Sequence, residues 1–415
     1  MAATAVAPAT PATPVTDVAV NQSRAHPSGI SEFDRVLGSG ITPGAVILLA
    51  GEPGVGKSTL LLDIAARYSR MAASRGEGPV LYATGEESAS QVRQRADRIG
   101  AVTPNLLLAA ENDLSQILGH VATHEPSLVI VDSVQTVSVA GVEGSPGGVN
   151  QVKAVATGLI QQAKLNHTPT IVVGHVTKDG SLAGPRTLEH LVDVICQFEG
   201  DRHTSLRLLR TVKNRYGATD EVGCFQLTDQ GIEEVPDPSQ LFTSPYSEDV
   251  FGSCVTMTLE GQRPLTTELQ ALVAEGNGGN GRRTVAGVDS SRVSMVLAVL
   301  QTHLQLDTRQ SDIYVATVGG ARATEPAADL AVALALSSAA TRRPLPAQTL
   351  ALGEIGLTGD IRGITGLQRR LHEASRLGFR AALVPSSQAH GVQPPRGLEI
   401  IPVRNLADAH RIILS

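Results

Sequence analysis

The sequence contains no tryptophan, few other aromatic residues and only three cysteines. These cysteines, Cys196, Cys224 and Cys254, are far apart, odd in number and not arranged as C-x-x-C. That pattern excludes a disulfide framework and a C-x-x-C zinc site, because both need paired, regularly spaced cysteines. We expect all three to be buried or half-buried thiols in a reducing compartment.

An excess of positive charge is also missing. The 34 Lys and Arg residues are outnumbered by 40 Asp and Glu residues, which gives a net charge of −6 at pH 7. A chain of this charge has no overall attraction to nucleic acid. Any DNA binding must therefore come from local basic loops or from assembly.

Long apolar runs are absent as well. No run approaches the roughly 20 residues that span a bilayer. The start, MAATAVAPATPATPVTDVAV, has neither the basic region nor the apolar core of a secretory signal. Residues 1–22 are instead rich in Ala, Pro and Thr, which is typical of a disordered tail. We expect a cytoplasmic protein with no membrane partner.

What the sequence does contain is enough apolar material for two or three domains, with 42% hydrophobic residues in 415. Over residues 23–238, short apolar runs alternate with helical patterns, which predicts a parallel α/β sheet with ligands at the carboxyl ends of its strands. The predicted strands are Val46–Ala50, Val80–Ala83, Leu128–Val131, Thr170–Val173, Val192–Phe198 and Ser205–Val212, with a hairpin through Gly223–Leu227.

The Pro-rich segment Val235–Pro245 separates the first domain from the rest, with a linker at 239–247. A second predicted domain at 248–415 mixes strands and helices. Its predicted strands are Cys254–Leu259, Leu265–Val273, Gln348–Gly353, Ala381–Pro385 and Glu399–Val403, the last confined to a sheet edge by Pro402. Its predicted helices are Ser291–Leu304, Pro326–Ala340 and Leu367–Leu377, the last ended by Gly378.

The segment GEPGVGKST matches the phosphate-binding pattern G-x-x-x-x-G-K-[ST] and lies between an apolar strand and a Leu-rich helix. Its backbone N–H groups are expected to surround phosphate oxygens. We expect Lys57 to neutralise the β- and γ-phosphates of ATP, and the Ser58 hydroxyl to coordinate Mg²⁺. The predicted nucleotide-binding residues are Gly51, Glu52, Pro53, Gly54, Val55, Gly56, Lys57, Ser58 and Thr59.

Carboxylates end two further predicted strands. Asp132, at the end of LVIVD, is expected to hold Mg²⁺ through a water. In LYATGEES, Glu86 is the choice for the group that orients and deprotonates the attacking water, and Glu87 could share or replace it. The alternative is that both glutamates belong to a charged first turn of a helix.

Three more segments carry candidate residues. His175, at the end of a strand, and Thr177 just after it are placed where a γ-phosphate sensor could lie, although a lone His there is also compatible with a structural role. Lys178 begins a Gly-rich loop. Lys213 and Arg215 share one face at the end of a strand, which favours an anion between them; a γ-phosphate of a neighbouring subunit is one such anion, and a solvated edge strand is the alternative.

With these motifs in order, the chain strongly resembles the bacterial DNA repair ATPase family RadA, also called Sms. The resemblance runs from about Ile30 to the C-terminus, and Tyr216 replaces a Phe of the family's KNRFG signature. The segments that carry it are GISEFDRVLGSGITPG, GEPGVGKST, GEES, LVIVDSVQT, GHVTKDGSLAGPRTLEHLVD and KNRYG.

This resemblance implies a RecA-like P-loop ATPase core, forming a hexameric ring that binds single-stranded and branched DNA and extends recombination intermediates. It implies 5′–3′ helicase or translocase activity, and the RecA recombinase as a partner. Lys213 and Arg215 would act across a subunit interface. Loops Thr136–Gln151 and Thr177–Pro185 would face DNA, with Lys178 and Arg186 as contacts.

The chain also departs from the family that it resembles. Members usually begin with a four-cysteine zinc module, which this sequence does not contain, so we expect no zinc. The C-terminal half resembles the α+β Lon-protease domain, but Ala328 takes the place of the nucleophilic serine and Gln368 that of the lysine. We expect an assembly and DNA-binding scaffold without a catalytic dyad.

Two alternatives to a DNA-translocating ATPase remain at this point. An ATP-dependent Lon-type protease is disfavoured by Ala328 and Gln368. An ATP-driven signalling module like the KaiC clock ATPases shares the core and the paired glutamates, but has a second tandem ATPase domain and leaves KNRYG unexplained.

Overall fold

The structure is a computed structural model that describes residues 14–17, 24–175, 185–200, 205–243, 250–276 and 281–414. The described chain divides into two compact units. The first comprises Met1–Gly200 with Leu206–Glu234, and the second comprises Asp201–Ser205 with Val235–Ser415. The main division follows Glu234, whereas the sequence placed the end of the first domain at 238. The reason is that Pro238–Leu241 forms a 3₁₀ helix beside a strand of the second unit, where Phe242 O accepts the N–H of Glu268.

The first unit is built on a nine-stranded sheet. Its strands are β1 Val46–Gly51, β2 Val80–Thr84, β3 Leu106–Ala110, β4 Leu128–Asp132, β5 Thr170–His175, β6 Val194–Gly200, β7 Leu206–Asn214, β8 Val222–Thr228 and β9 Gly231–Glu234. Its helices are α1 Ser31–Leu37, α2 Lys57–Ser74, α3 Ala89–Arg98, α4 Leu114–His124, α5 Val149–Asn166 and α6 Pro185–Leu188. The strand order is β3-β2-β4-β5-β1-β6-β7-β8-β9, parallel as far as β6 and antiparallel from β7 onwards.

Helices cover both faces of this sheet because side chains alternate along each strand. In β1, Ile47 and Leu49 belong to the apolar cluster that includes Leu60 and Leu61 of α2. Val46 and Leu48 point to the other face and join a cluster with Val152, Val155 and Leu159 of α5. The central strands are therefore buried on both sides, as the continuous apolar runs predicted.

Two strands of this sheet were not predicted, and both lie at its edges. β3 is only half-buried along most of its length, and β9 has four residues. The predicted hairpin at Gly223–Leu227 is the single strand β8, which pairs with β7 and β9 on either side.

Register brings the carboxyl ends of four strands together. Thr84 of β2 is paired with Asp132 of β4, and Gly51 of β1 is paired with His175 of β5. This edge of the parallel sheet is where ligands bind in open α/β folds.

The second unit contains a seven-stranded sheet and a two-stranded sheet. Its strands are β10 Ser253–Glu260, β11 Arg263–Glu275, β12 Arg283–Ala286, β13 Ser311–Thr317, β14 Thr349–Ala351, β15 Glu354–Ile355, β16 Ile361–Arg362, β17 Ala381–Pro385 and β18 Glu399–Val403. Its helices are α7 Ser290–Leu304, α8 Asp329–Thr341, α9 Leu367–Arg376, α10 Ser386–Ala389 and α11 Leu406–Leu414. The larger sheet has the order β12-β13-β11-β10-β14-β17-β18.

Several expectations for this unit are confirmed. β18 is an edge strand as Pro402 required, and α9 ends just before Gly378, whose φ is +84°. The helix predicted at Pro326–Ala340 differs at its start, because Pro326–Ala328 forms a 3₁₀ turn before α8 begins at Asp329. β12 and β13 were missed, since exposed and polar positions interrupt their apolar pattern.

Candidate active site

The phosphate-binding loop connects the end of β1 to the start of α2, as predicted. Gly56 has φ of +111°, a conformation that favours glycine, and it directly precedes the helix. Gly51 has no room for a side chain, because a Cβ there would lie 2.4 Å from the carbonyl oxygen of Phe198. The loop therefore presents backbone N–H groups beside the positive end of an 18-residue helix.

Lys57 is nearly buried at 4% exposure within this loop. Its Nζ donates to the carbonyl oxygens of Gly51 at 2.9 Å and Glu52 at 3.0 Å. Burial lowers the pKa of Lys57, while Asp132 and Glu86 oppose that shift by their negative charge. The Lys57 ammonium is thus held inside the loop, where it could contact a bound phosphate.

Asp132 lies next to the loop at the end of β4 and is 4% exposed. Its Oδ2 accepts the Tyr82 hydroxyl at 2.6 Å, and its carboxylate also shares a hydrogen bond with Ser58. Burial raises its pKa, against the effect of those two donors. The Oδ1 atom is buried and has no partner among the described residues.

These donors fit a hard cation. Mg²⁺ prefers carboxylate and hydroxyl oxygens together with waters and substrate phosphates. An unpaired buried carboxylate oxygen beside Ser58 offers that chemistry, so Ser58 and Asp132 are the residues that would hold Mg²⁺.

Glu86, on the link between β2 and α3, contacts the ends of two other strands. Its Oε1 accepts from the Ser133 hydroxyl at 2.5 Å and lies 2.9 Å from Nε2 of His175. The His175 hydrogen bond lowers the pKa of Glu86 to about 2; burial opposes this, and Ser133 adds to it. The structure therefore brings together Glu86 and His175, which the sequence singled out separately.

Glu87, its neighbour, faces a different environment. Its carboxylate forms an ion pair with Arg95 of α3, and its backbone N–H contacts the Thr84 hydroxyl at 3.3 Å. Of the two glutamates, Glu86 is the one that contacts His175, and the positive charge of Lys57 also lowers its pKa.

The predicted DNA contacts are only partly described. Lys178 and Thr177 lie outside the described residues, and Arg186 is described only as a backbone position in α6. In the segment Thr136–Gln151, Gln151 is buried and organises the loop: it accepts from the N–H of Val139 at 2.8 Å and donates to Val142 O at 2.7 Å. This segment contains no Lys or Arg.

Lys213 and Arg215 lie at the opposite edge of the sheet from the phosphate-binding loop. Arg215 pairs with Oδ1 of Asp193 at 3.1 Å, and Oδ2 of Asp193 accepts the N–H of Val46 at the start of β1. Lys213 donates to the carbonyl oxygens of Glu189 and Val192 at 2.6 and 2.9 Å. At about 3.3 Å per residue, β1 separates this edge from Gly51 by roughly 16 Å.

Sequence reasoning missed three residues that shape these two edges: Tyr82 and Ser133 beside the nucleotide loop, and Asp193 at the other edge. Ser133 and Asp193 each adjoin a strand end, which is a usable signal. Tyr82 lies inside an apolar strand and carries no such signal, because only the fold brings it to Asp132.

In the second unit, the two positions that correspond to the Lon-type serine and lysine hold Ala328 and Gln368. Ala328 is buried at 2% exposure, and the Gln368 amide donates to Gln393 O at 2.8 Å while accepting the N–H of Gln393. All three cysteines are buried, as expected, and burial raises the pKa of Cys196 to about 12.

The described residues contain neither a ready-made metal cluster nor a helix that could span a membrane. No group of three or more His, Cys, Asp and Glu side chains there is arranged to hold a metal ion. Within the same residues, every helix is too short or too polar to cross a membrane.

Known proteins resemble the chain over most of its length. Residues 22–181 match the family described as AAA domain, and residues 287–388 match the family described as subunit ChlI of Mg-chelatase. A solved structure, the KaiC-like protein PH0186 from Pyrococcus horikoshii OT3, superposes with a TM-score of 0.41 and 20% identity, covering 52% of this chain and 100% of that chain.

Sequence relatives are much closer. A protein of Mycobacterium tuberculosis (strain CDC 1551 / Oshkosh) named DNA repair protein RadA is 53% identical over 384 residues, covering 92% of this chain and 79% of the relative. Proteins of the same name from Mycolicibacterium smegmatis and Streptococcus pyogenes serotype M1 are 51% and 42% identical, covering 97% and 93% of this chain and 86% and 84% of their own lengths. The chain, with its RecA-like P-loop ATPase core, belongs to the RadA family of DNA repair proteins.

Proposed function

We propose that the chain is a DNA-dependent ATPase of recombinational repair. In this proposal it forms a homohexameric ring in the cytoplasm, binds single-stranded and branched DNA, and uses ATP to move along a strand and extend recombination intermediates alongside the RecA recombinase. The family supports a DNA repair ATPase, and the ring and the motor activity are our extension of it.

One observation carries the ring: the two halves of an ATPase site lie at opposite edges of the same sheet. Lys57, Ser58, Asp132 and Glu86 cluster at the carboxyl end of β1, whereas Arg215 is tied to Val46 at its amino end through Asp193. An arginine side chain cannot reach across roughly 16 Å of strand to its own nucleotide. A neighbouring protomer can present Arg215 to that nucleotide instead.

The chemistry follows from these positions. Lys57 and the loop N–H groups bind the phosphates, and Ser58 with Asp132 would hold Mg²⁺, which would neutralise phosphate charge when bound. Glu86 orients the attacking water and accepts its proton. Arg215 and Lys213 of the adjoining protomer would leave Asp193 and the carbonyl groups of Glu189 and Val192 to stabilise charge developing on the γ-phosphate.

DNA contacts are assigned to the loops that follow β4 and β5. Lys178 and Arg186 supply positive charge for phosphates. Because Thr136–Gln151 has no basic residue, its contribution would come from backbone N–H groups and from Asn150. We therefore expect DNA binding to weaken as the salt concentration rises, with only a few cations per protomer contributing to this effect.

The test is ATP turnover with and without single-stranded DNA, on protein sized by light scattering. We expect a ring and faster turnover with DNA. Arg215→Ala should bind ATP without turning it over, and mixing it with Lys57→Ala should restore part of the activity. Arg210→Ala, which removes a cation of β7 that is paired with Glu199 of β6, is the matched control. A monomer at full turnover, or no restoration in the mixture, would refute the ring.

The other two candidates have their own outcomes in the same samples. ATP turnover indifferent to DNA, together with autophosphorylation, would favour a signalling ATPase. Degradation of an unfolded protein substrate, abolished at a specific serine, would revive the protease.

A further inference from the structure

We propose that Ser133 is a positioning residue for ATP hydrolysis, which fixes the Glu86 carboxylate together with His175. This inference rests on the proposed role of Glu86 as the residue that orients water. It adds to the site the residue that directly follows Asp132 at the end of β4.

The geometry is asymmetric at the carboxylate. Both the Ser133 hydroxyl and Nε2 of His175 contact the same oxygen, Oε1 of Glu86, at 2.5 and 2.9 Å. No described residue donates to Oε2. One oxygen is thus held by two donors, and the other is left to accept a proton from water.

Such anchoring matters because the last torsion of a glutamate side chain has broad, roughly two-fold minima. A carboxylate held by a single donor can swing about that contact. Two donors from different directions restrict this rotation, and charge-assisted hydrogen bonds are about twice as strong as neutral ones. The catalytic oxygen then keeps one position relative to the γ-phosphate.

Ser133 is itself rigidly placed. It is fully buried, and its carbonyl oxygen accepts the Thr136 hydroxyl at 2.8 Å. The preceding carbonyl, of Asp132, accepts the N–H of Gly85, one residue before Glu86. The hydroxyl that contacts Glu86 is therefore tied to the metal-site strand on one side and to the glutamate's own backbone on the other.

The experiment compares Ser133→Ala and Ser133→Cys with wild type, without DNA, by steady-state ATP turnover and by binding of a fluorescent ATP analogue. We expect kcat to fall on the order of 10-fold to 100-fold in Ser133→Ala, because small displacements of a catalytic group have effects of this size. KM and analogue affinity should stay within about two-fold. Ser133→Cys, which keeps the size with a weaker donor, should fall between.

Two further variants separate positioning from folding. Thr170→Val removes a fully buried hydroxyl of β5 that has no partner among the described residues, and it should leave kcat unchanged. In a Glu86→Gln background, Ser133→Ala should cause no additional loss in single-turnover assays, because both changes remove the same function.

The outcomes distinguish this inference from the proposed function. A normal kcat in Ser133→Ala would overturn the positioning role. So would a fall in turnover from Ser133→Ala that is as large in the Glu86→Gln background as in the wild type. If Ser133→Ala does not fold, a wild-type kcat in Ser133→Cys would overturn the role instead. Normal turnover in Glu86→Gln would refute the role of Glu86 and this inference with it. Absence of DNA stimulation in wild type would refute the DNA-dependent motor and leave the Ser133 result standing.

Discussion

Arg215 lies 3.1 Å from Oδ1 of Asp193. Oδ2 of the same carboxylate accepts the backbone N–H of Val46 at 2.9 Å and forms an ion pair with Lys164 at 2.7 Å. Asp193 itself is only 3% exposed. One buried carboxylate therefore joins two cations to the first residue of the central strand.

Replacing this carboxylate should cost stability in a pH-dependent way. We expect Asp193→Asn to lower the free energy of unfolding by about 1–3 kcal/mol at pH 7. Burial alone would raise the pKa of Asp193, but Lys164, the N–H of Val46 and Arg215 lower it overall. Because the folded pKa lies below the unfolded value of about 3.9, the contribution is present above pH 4 and is lost as pH falls through the folded pKa.

Urea unfolding at pH 7 and below pH 4 measures this. The gap between wild type and Asp193→Asn should narrow in acid, and Asp229→Asn, at an exposed position, should show no gap at either pH. A gap that is constant with pH would show that the carboxylate is not stabilised as the contacts imply.

The paired glutamates should behave differently. Glu86→Gln is expected to bind ATP normally and to lose 100-fold or more in kcat, on the order of a general-base contribution. Glu87→Gln removes an ion pair with Arg95 but leaves the contact between Glu86 and His175 intact. Its kcat should stay within a few-fold of the wild-type value, because a partly exposed ion pair contributes little free energy. Turnover by Glu86→Gln at the wild-type rate, with loss in Glu87→Gln, would transfer the role to Glu87.

The metal site gives a separate expectation. Asp132→Asn should raise the Mg²⁺ concentration needed for half-maximal turnover by about 10-fold to 100-fold, because an outer carboxylate that holds a metal-bound water has effects of this size. Tyr82→Phe keeps the carboxylate and removes only its hydroxyl partner, so its requirement should rise less. A magnesium titration of ATP turnover for the three proteins decides this, and an unchanged requirement in Asp132→Asn would exclude the assignment.

The second unit offers a test of stability alone. Arg370 is fully buried and donates to both carboxylate oxygens of Glu325 at 2.7 Å and to the carbonyl oxygen of Thr365. Arg370→Ala leaves the Glu325 carboxylate with the N–H of Leu259 but without its cation, and should lower the free energy of unfolding by about 3–5 kcal/mol. Arg369→Ala, the exposed neighbour on α9, should change stability by less than about 0.5 kcal/mol. Denaturant unfolding of both variants measures the difference, and equal losses would contradict it.

Much of the first unit could be predicted because its local signals agree. An apolar strand, a glycine-rich turn and a Leu-rich helix occur consecutively at Val46–Ser74, and the carboxylates at Glu86 and Asp132 follow other apolar strands. The edge strands β3 and β9 escaped because half-buried or very short strands have weak apolar patterns.

The contacts between strand ends could not be predicted from the sequence. His175 and Glu86 are 89 residues apart, and only the order β2-β4-β5-β1 makes them neighbours. Pairing of Arg215 with Asp193 likewise depends on β7 running antiparallel to β6. Sequence spacing placed Lys213 and Arg215 on one strand face, but their separate partners follow from tertiary structure.

The central strand β1 has a mechanical consequence. Its six residues are all buried; all six pair with β5 on one side, and the last five pair with β6 on the other. At one end, Gly51 begins the loop that leads to α2, and at the other end the N–H of Val46 contacts the carboxylate that pairs with Arg215. A short, close-packed strand of this kind transmits a displacement from one end to the other with little deformation. In the proposed ring, β1 would therefore couple a protomer's own nucleotide mechanically to the contact that Arg215 makes with the nucleotide of the next protomer.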